Sequence, residues 1–181
     1  MAKVLFINPV VREEDVPRHV PYGIALLSAI SINKGHQVQV YDQNAWRMGE
    51  DMLEQVLRAD DWDVIALGGI TTVYGSIKKT VSHARQACPN AVIVIGGGVL
   101  TSLPKEMMGF MPEVDVGVVG EAFTTFPEIL EMIDSGKREN LVQIIFKMLK
   151  SVIAAGDHSL FRAGVACHSI AIIQYFIAYL Q

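Results

Sequence analysis

Five short stretches hold the residues best suited to contact a ligand. They are Asn8-Pro9-Val10-Val11, Asp42-Gln43-Asn44, Gly68-Gly69-Ile70-Thr71-Thr72, Gly96-Gly97-Gly98-Val99 and Gly120-Glu121-Ala122. Three of the five are built around glycine, which lets a ligand approach the backbone closely and permits positive φ. That is binding chemistry rather than proton or acyl transfer. Glycines that only make tight strand-to-helix turns would give the same pattern one loop at a time, and both readings stand at this point. No familiar phosphate signature is present. The loop after the first strand reads Asn-Pro-Val-Val-Arg-Glu-Glu-Asp and lacks the G-x-G-x-x-G of dinucleotide sites, and no G-x-x-x-x-G-K-[ST] occurs. A receiver domain would need paired acids after the first strand and a lysine after the last, where Asn8-Pro9 and Gly120-Glu121 stand instead.

Metal and nucleophile chemistry finds no purchase either. His19, His36, His83, His158 and His168 form no H-E-x-x-H or similar cluster, and His19 and His36 read as surface residues. Cys88 and Cys167 are too few for a disulfide framework or a four-cysteine zinc site, which points to a reducing, cytoplasmic setting. Cys88 beside Pro89 reads as structural. Asp60, Asp61 and Asp63 read as a solvated turn at the far end of the sheet, with Trp62 packed against its bottom. No catalytic residue and no protein metal ligand is assigned.

The elements that must position these loops alternate along the chain. Apolar, β-branched runs at 3–8, 37–41, 63–67, 91–95 and 115–119 are each followed by a helical stretch, near 21–34, 50–59, 74–87, 102–110 and 124–134. Continuous apolar strands suit a parallel sheet covered on both faces, and the alternation predicts a doubly wound α/β domain with right-handed crossovers. Gly35 falls where a helix C-cap belongs, Pro89-Asn90 stops a helix, and Pro21 suits a first helical turn. In open parallel sheets a ligand lies outside the carboxyl ends of the strands, at the topological switch point. All five stretches sit on that edge.

Composition agrees with a globular protein. Of the 181 residues 51% are hydrophobic and 19% charged, and the net charge of −4 argues against a nucleic-acid partner. The first residues read as a strand rather than a secretory leader. Only four charged residues, Lys147, Lys150, Asp157 and Arg162, follow residue 140. The composition therefore divides the chain into an α/β domain over 1–138 and an apolar helical extension over 139–181.

With the loops in place, a family becomes recognisable. Val4-Leu5-Phe6-Ile7-Asn8-Pro9, Pro21-Tyr22-Gly23-Ile24-Ala25-Leu26-Leu27-Ser28-Ala29 and Gly35-His36-Gln37-Val38 resemble the opening of the cobalamin-binding domains that precede radical S-adenosylmethionine (radical SAM) enzymes. The likeness continues through Asp63-Val64-Ile65-Ala66-Leu67-Gly68-Gly69, Ile95-Gly96-Gly97-Gly98-Val99 with Leu103-Pro104, and Val119-Gly120-Glu121 with Thr125-Phe126-Pro127-Glu128. It covers about residues 3–136.

The resemblance implies a flavodoxin-like, Rossmann-like five-stranded sheet of order 2-1-3-4-5, with cobalamin at the strand carboxyl ends. By position, Gly68, Gly69, Thr71 and Thr72 and the Gly96-Gly97-Gly98-Val99 loop would line the slot for the nucleotide tail, the hydroxyls bonding polar groups and the glycines leaving room. Asn8, Pro9, Gly120 and Glu121 would flank the corrin. Two departures refine it. The D-x-H-x-x-G that supplies a histidine to cobalt is absent, which implies base-off cobalamin without a protein ligand. The C-x-x-x-C-x-x-C cluster motif is absent too, so S-adenosylmethionine and a [4Fe-4S] cluster would belong to a radical SAM domain in cis or trans, in a full-length parent or a partner. The other reading is a flavodoxin-like interaction or regulatory domain that binds no corrin.

The C-terminal extension has apolar residues at helical spacing, Leu141, Ile144, Ile145, Met148, Leu149, Val152 and Ile153, and no charge over 163–181. That last run approaches the length of a membrane span, yet it holds His168, Ser169, Gln174 and two tyrosines and lacks basic anchors. A helical hairpin or a contact between copies fits it better, so self-association through this segment is expected.

Overall fold

A computed structural model describes residues 1–12, 14 and 20–141. Strands β1 (Lys3–Asn8), β2 (Gln37–Asp42), β3 (Val64–Gly68), β4 (Val92–Gly96) and β5 (Val116–Gly117) form one sheet of order β2-β1-β3-β4-β5. Every pairing is parallel. The flavodoxin-like topology expected from the sequence is the one observed.

The period-two alternation of the strands builds two core layers. Leu5, Ile7, Ile65, Leu67, Ile93 and Ile95 point to one face, where α3 (Glu50–Leu57) and α4 (Tyr74–Ala87) bring Leu53, Leu57, Ile77, Val81 and Ala84. Val4, Phe6, Val64, Ala66, Val92 and Val94 point to the other. There α1 (Tyr22–Asn33) brings Ile24 and Leu27, and α7 (Thr125–Asp134) brings Phe126, Ile129, Leu130 and Ile133. The buried positions of α4 and α7 recur at three and four residues, the spacing of one helix face. Phe6 and Phe126 meet with ring centroids 5.2 Å apart. Truncating a strand residue such as Ile65, wholly buried, to alanine would cost about 2–5 kcal/mol.

Helix ends follow local chemistry. After α1, Gly35 takes φ +86°; its N–H donates to the Ile32 carbonyl at 2.9 Å and that of His36 to Ser31 at 3.1 Å. This pair of hydrogen bonds around a left-handed glycine is the stop expected there. It also carries His36 inward. Expected at the surface, His36 is buried, and its Nδ1 accepts the Ala2 N–H at 3.2 Å. The correction comes from a partner 34 residues away, which local pattern does not reveal.

Two further elements differ from expectation. The helical stretch placed at 102–110 is two short helices, α5 (Gly98–Ser102) and α6 (Pro104–Phe110), because Pro104 cannot continue α5 and starts α6 instead. A four-residue helix, α2 (Gln43–Trp46), follows β2 directly, with the Asp42 carboxylate accepting the Ala45 N–H at 2.8 Å. The fifth strand, expected over 115–119, is regular only at Val116–Gly117. Hydrogen bonding still spans most of the run, from Asp115 N–H to Ile93 carbonyl (3.0 Å) and from Val118 N–H to Ile95 carbonyl (2.8 Å). At the other end of the sheet Trp62 is buried, its Nε1 donating to the Leu57 carbonyl at 3.1 Å. Half-buried Cys88 donates to the same carbonyl from its thiol, and burial pushes that thiol above its usual range. Among the described residues no helix is long and apolar enough to cross a membrane. His19, and the extension read over 139–181 from residue 142 onward, lie outside the described residues.

Candidate functional site

The chain runs from β1 outward to β2 on one side and from β3 outward to β4 and β5 on the other, so the switch point lies between β1 and β3. At the carboxyl ends of these strands the fold gathers the glycine loops. Gly68 and Gly96 close β3 and β4 side by side in register. Thr71 and Thr72 form a 3-10 turn, Thr71–Val73, that runs straight into α4, with both threonines exposed. Ile70, at the tip, is 58% exposed.

These loops are tied to each other by main chain. The Val99 N–H donates to the Gly69 carbonyl at 2.8 Å, and the N–H groups of Leu100 and Thr101 return to the Gly97 carbonyl at 3.2 and 3.0 Å. Thr101 Oγ1 in turn accepts the Gly120 N–H at 3.1 Å. Residues 68–72, 96–99 and 120 therefore form one connected cluster. Val99 itself is fully buried in the core and joins the cluster through its backbone.

The glycines divide into two kinds. A Cβ at Gly68 would stand 2.5 Å from the Gly96 carbonyl oxygen, and one at Gly69 would stand 2.7 Å from Val73 Cγ2. Gly97 adopts φ +82° and ψ −169°, a region open essentially to glycine alone, with the Gly69 carbonyl 3.0 Å from where its Cβ would be. Gly120 has φ +79°. Backbone requires Gly68, Gly97 and Gly120, and the Val73 and Ile77 side chains packed beside it require Gly69. Nothing of the kind requires Gly98: its φ is ordinary, its surroundings begin at 3.7 Å, and it is exposed. Gly96 is similar, with nothing nearer than 3.6 Å. Bare backbone at Gly98, facing the Gly69-Ile70 turn, leaves a gap that a side chain would fill.

Across the switch point, Asn8 and Pro9 keep different company. Asn8 Nδ2 donates to Asp42 Oδ1 at 2.9 Å, and the Val11 N–H donates to Asn44 Oδ1 at 3.0 Å. Pro9 is buried. The β1 loop is thus pinned to the end of β2, and Asp42 and Asn44 are the positioning residues there. Their signal in the sequence was the polar run directly after the second strand. The Gln43 Oε1 beside them is buried with no partner among the described residues. Glu121 is exposed at the β5 end.

The opposite end of the sheet offers a different hollow, an open one of about 380 Å³ lined by Lys34, His36, Glu131, Asp134 and Ser135. Its charges are mutually engaged: Lys34 with Glu131 at 2.7 Å, and the Met1 amine with Asp134 at 3.0 Å.

A five-stranded flavodoxin-like sheet with interlocked glycine loops at its carboxyl edge defines an α/β domain of the doubly wound class. Residues 9–130 match the family model of the B12 binding domain, and the chain belongs to that family. It is 24% identical over 117 residues to PH0819, an uncharacterized methyltransferase of Pyrococcus horikoshii, a match spanning 65% of this chain and 25% of that protein. Among solved structures it is similar to TsrM, a radical S-adenosylmethionine methyltransferase from Kitasatospora setae with cobalamin and a [4Fe-4S] cluster bound. There the TM-score is 0.66 and the identity 18%, over 75% of this chain and 25% of TsrM. The cobalamin-dependent radical enzyme OxsB, with aqua-cobalamin and S-adenosylmethionine bound, gives a TM-score of 0.61 at 15% identity over 75% of this chain and 19% of OxsB. The chain thus spans a quarter or less of each relative's length.

Proposed function

We propose that this chain is a cobalamin-binding module and that the carboxyl edge is where it binds. The observation that carries the reading is the glycine at Gly98, which nothing in the protein's own packing requires, in a chain that belongs to the B12 binding domain family. Gly96, Gly97 and Gly98 would line one wall of the slot for the nucleotide tail, and Gly68, Gly69, Thr71 and Thr72 the other. The exposed threonine hydroxyls are donors and acceptors for polar groups there. Asn8, held by Asp42, and Gly120 with Glu121 would flank the corrin. Pro9 and Val99 support the walls from within the core. Bound cobalamin supplies a cobalt centre able to carry a methyl group; the protein's part is positioning and shielding.

No described histidine serves the cobalt in this reading. His36 is turned against Ala2 at the amino end of β1, and His83, late in α4, stands 4.0 Å from Glu50 and from Glu54. With the nucleotide tail held in the slot, and D-x-H-x-x-G absent from the sequence, binding would be base-off, with no cobalt ligand from the described histidines. With two cysteines in 181 residues, an iron–sulfur cluster and S-adenosylmethionine would belong to a radical SAM domain acting in cis or trans.

Titration of the chain with hydroxocobalamin, followed by absorbance, tests the reading. Wild type should bind and give a base-off spectrum. Gly98→Val should keep its circular dichroism and bind at least tenfold more weakly, about 1.4 kcal/mol. Absence of binding by wild type would leave a flavodoxin-like interaction domain as the reading. A folded Gly98→Val that binds as wild type does would move the site elsewhere.

A further inference from the structure

The loop after β5 is tied to the rest of the carboxyl edge by one side chain. The Val118 N–H makes the last hydrogen bond to the sheet, to the Ile95 carbonyl at 2.8 Å. Beyond it Gly120 takes φ +79° and the exposed Glu121 follows. Regular helix resumes at Thr125, the start of α7. Among the described residues, Val119, Gly120 and Glu121 make one hydrogen bond, from the Gly120 N–H to Thr101 Oγ1 at 3.1 Å.

Packing from below places that side chain. A Cβ at Gly117 in β5 would stand 2.7 Å from Leu100 Cδ2 and 2.9 Å from Met108 Sδ. Glycine there lets α5 lie close against the strand. Leu100 is wholly buried, and Thr101 follows it half-buried at the margin of the core. Main chain fixes α5 from its other side: the Val99 N–H donates to the Gly69 carbonyl at 2.8 Å, and the Thr101 N–H to the Gly97 carbonyl at 3.0 Å. The helix is thus held to the β3 and β4 loops by backbone, and to the β5 loop by the Thr101 hydroxyl. Valine would fill the same space without the acceptor.

We propose that Thr101 is a positioning residue of the carboxyl edge: its hydroxyl holds Gly120 and Glu121 in place against the β4 loop. The inference rests on the reading that cobalamin occupies this edge, where Gly120 and Glu121 would flank the corrin. Thr101 acts through Gly120. A loop tied at one point loosens when the tie is cut, and ordering it again on binding subtracts from affinity. The same cut costs the free protein little, because water replaces the lost partner of an exposed N–H.

Thr101→Val, which removes the acceptor, tests it beside Thr101→Ser, which keeps it. In hydroxocobalamin titration of the full chain, Thr101→Val should bind about three- to tenfold more weakly than wild type, the span of one net hydrogen bond. Its melting temperature should stay within about 2 °C of wild type. Thr101→Ser should match wild type in both. In NMR of the ligand-free chain, the Gly120 amide proton of Thr101→Val should show a larger temperature coefficient, again restored by serine. Unchanged affinity, or an unchanged Gly120 amide, would overturn the proposal. So would a Thr101→Val chain that melts far below wild type, or an affinity loss shared by Thr101→Ser, since either marks a packing role. Should Thr101→Val fail to fold, Thr101→Ala is read in its place, and failure of both overturns the proposal. If wild type binds no cobalamin, the proposed function fails and the Gly120 amide alone decides for Thr101. Release by valine with recovery by serine then sustains the positioning role, and no change ends it.

Discussion

The two ends of the same five strands are built on opposite principles. At the amino end, charges close on one another. Lys3 pairs with Asp60 at 2.6 Å, Arg138 with Asp63 at 3.3 Å, and Arg85 with Asp115 at 2.6 Å. The carboxylates also cap strands, Asp63 accepting the Lys3 N–H and Asp115 the Ile93 N–H. At the carboxyl end beyond β3, β4 and β5, the loops are joined mainly through backbone, Val99 to Gly69 and Gly120 to Thr101 Oγ1. An end that consumes its own polar groups has little left for a ligand. An end held by glycine and main chain keeps its side-chain positions bare. Asp60 and Asp63, in the acidic cluster read as a solvated turn, keep exposed side chains there and also pair with Lys3 and Arg138.

Substitution at the interlocked glycines should produce the largest effect, because strain there falls on backbone that cannot yield. Gly68→Ala and Gly97→Ala should each lower unfolding free energy by about 2–4 kcal/mol in urea titration. Gly98→Ala, a few ångströms away, should leave stability close to wild type. If Gly98→Ala is as damaging as Gly97→Ala, the division into required and spare glycines is wrong.

A middle-sized effect belongs to the amino end. Arg85 donates to the carbonyls of Pro89 (2.9 Å), Ala91 (3.0 Å) and Glu113 (2.8 Å) as well as to Asp115. Arg85→Met should cost about 2 kcal/mol of stability, since partly buried acceptors lose a charged donor. Cobalamin affinity at the far edge should not change, and a parallel loss of affinity would show that the two ends are coupled.

The smallest effect is the exposed Lys3–Asp60 pair. The hydrogen bond from Lys3 holds the Asp60 carboxyl below its usual 3.8, and the same bond raises the Lys3 ammonium above 10.5. Stabilisation from Asp60 is therefore present above pH 3.8 and lost as pH falls below it. That from Lys3 is present below 10.5 and lost as pH rises through its raised value. Lys3→Met should melt slightly lower than wild type near neutrality, with the difference vanishing at both extremes. A difference that persists in acid would assign the effect to packing of the lysine stem.

Sequence periodicity alone determined the fold class. A strand buried on both faces has to be apolar throughout, as Val64-Ile65-Ala66-Leu67 and Val92-Ile93-Val94-Ile95 are, and a helix between such strands has to return over the sheet. The glycine stop at Gly35 was legible for the same reason, since it is settled within a few residues. The family was legible in the order and spacing of its loops. What only the tertiary structure decided involves partners far apart in the chain. His36 looked exposed until Ala2 was found against it, and Val99 looked like a loop residue until the core closed over it. The glycines at 68, 69, 96, 97 and 98 are alike in sequence, yet only contacts and dihedral angles of the folded chain separate those its packing requires from those it leaves bare. Local pattern records what a residue needs from its neighbours in the chain; close packing across the sheet determines what space remains beside it.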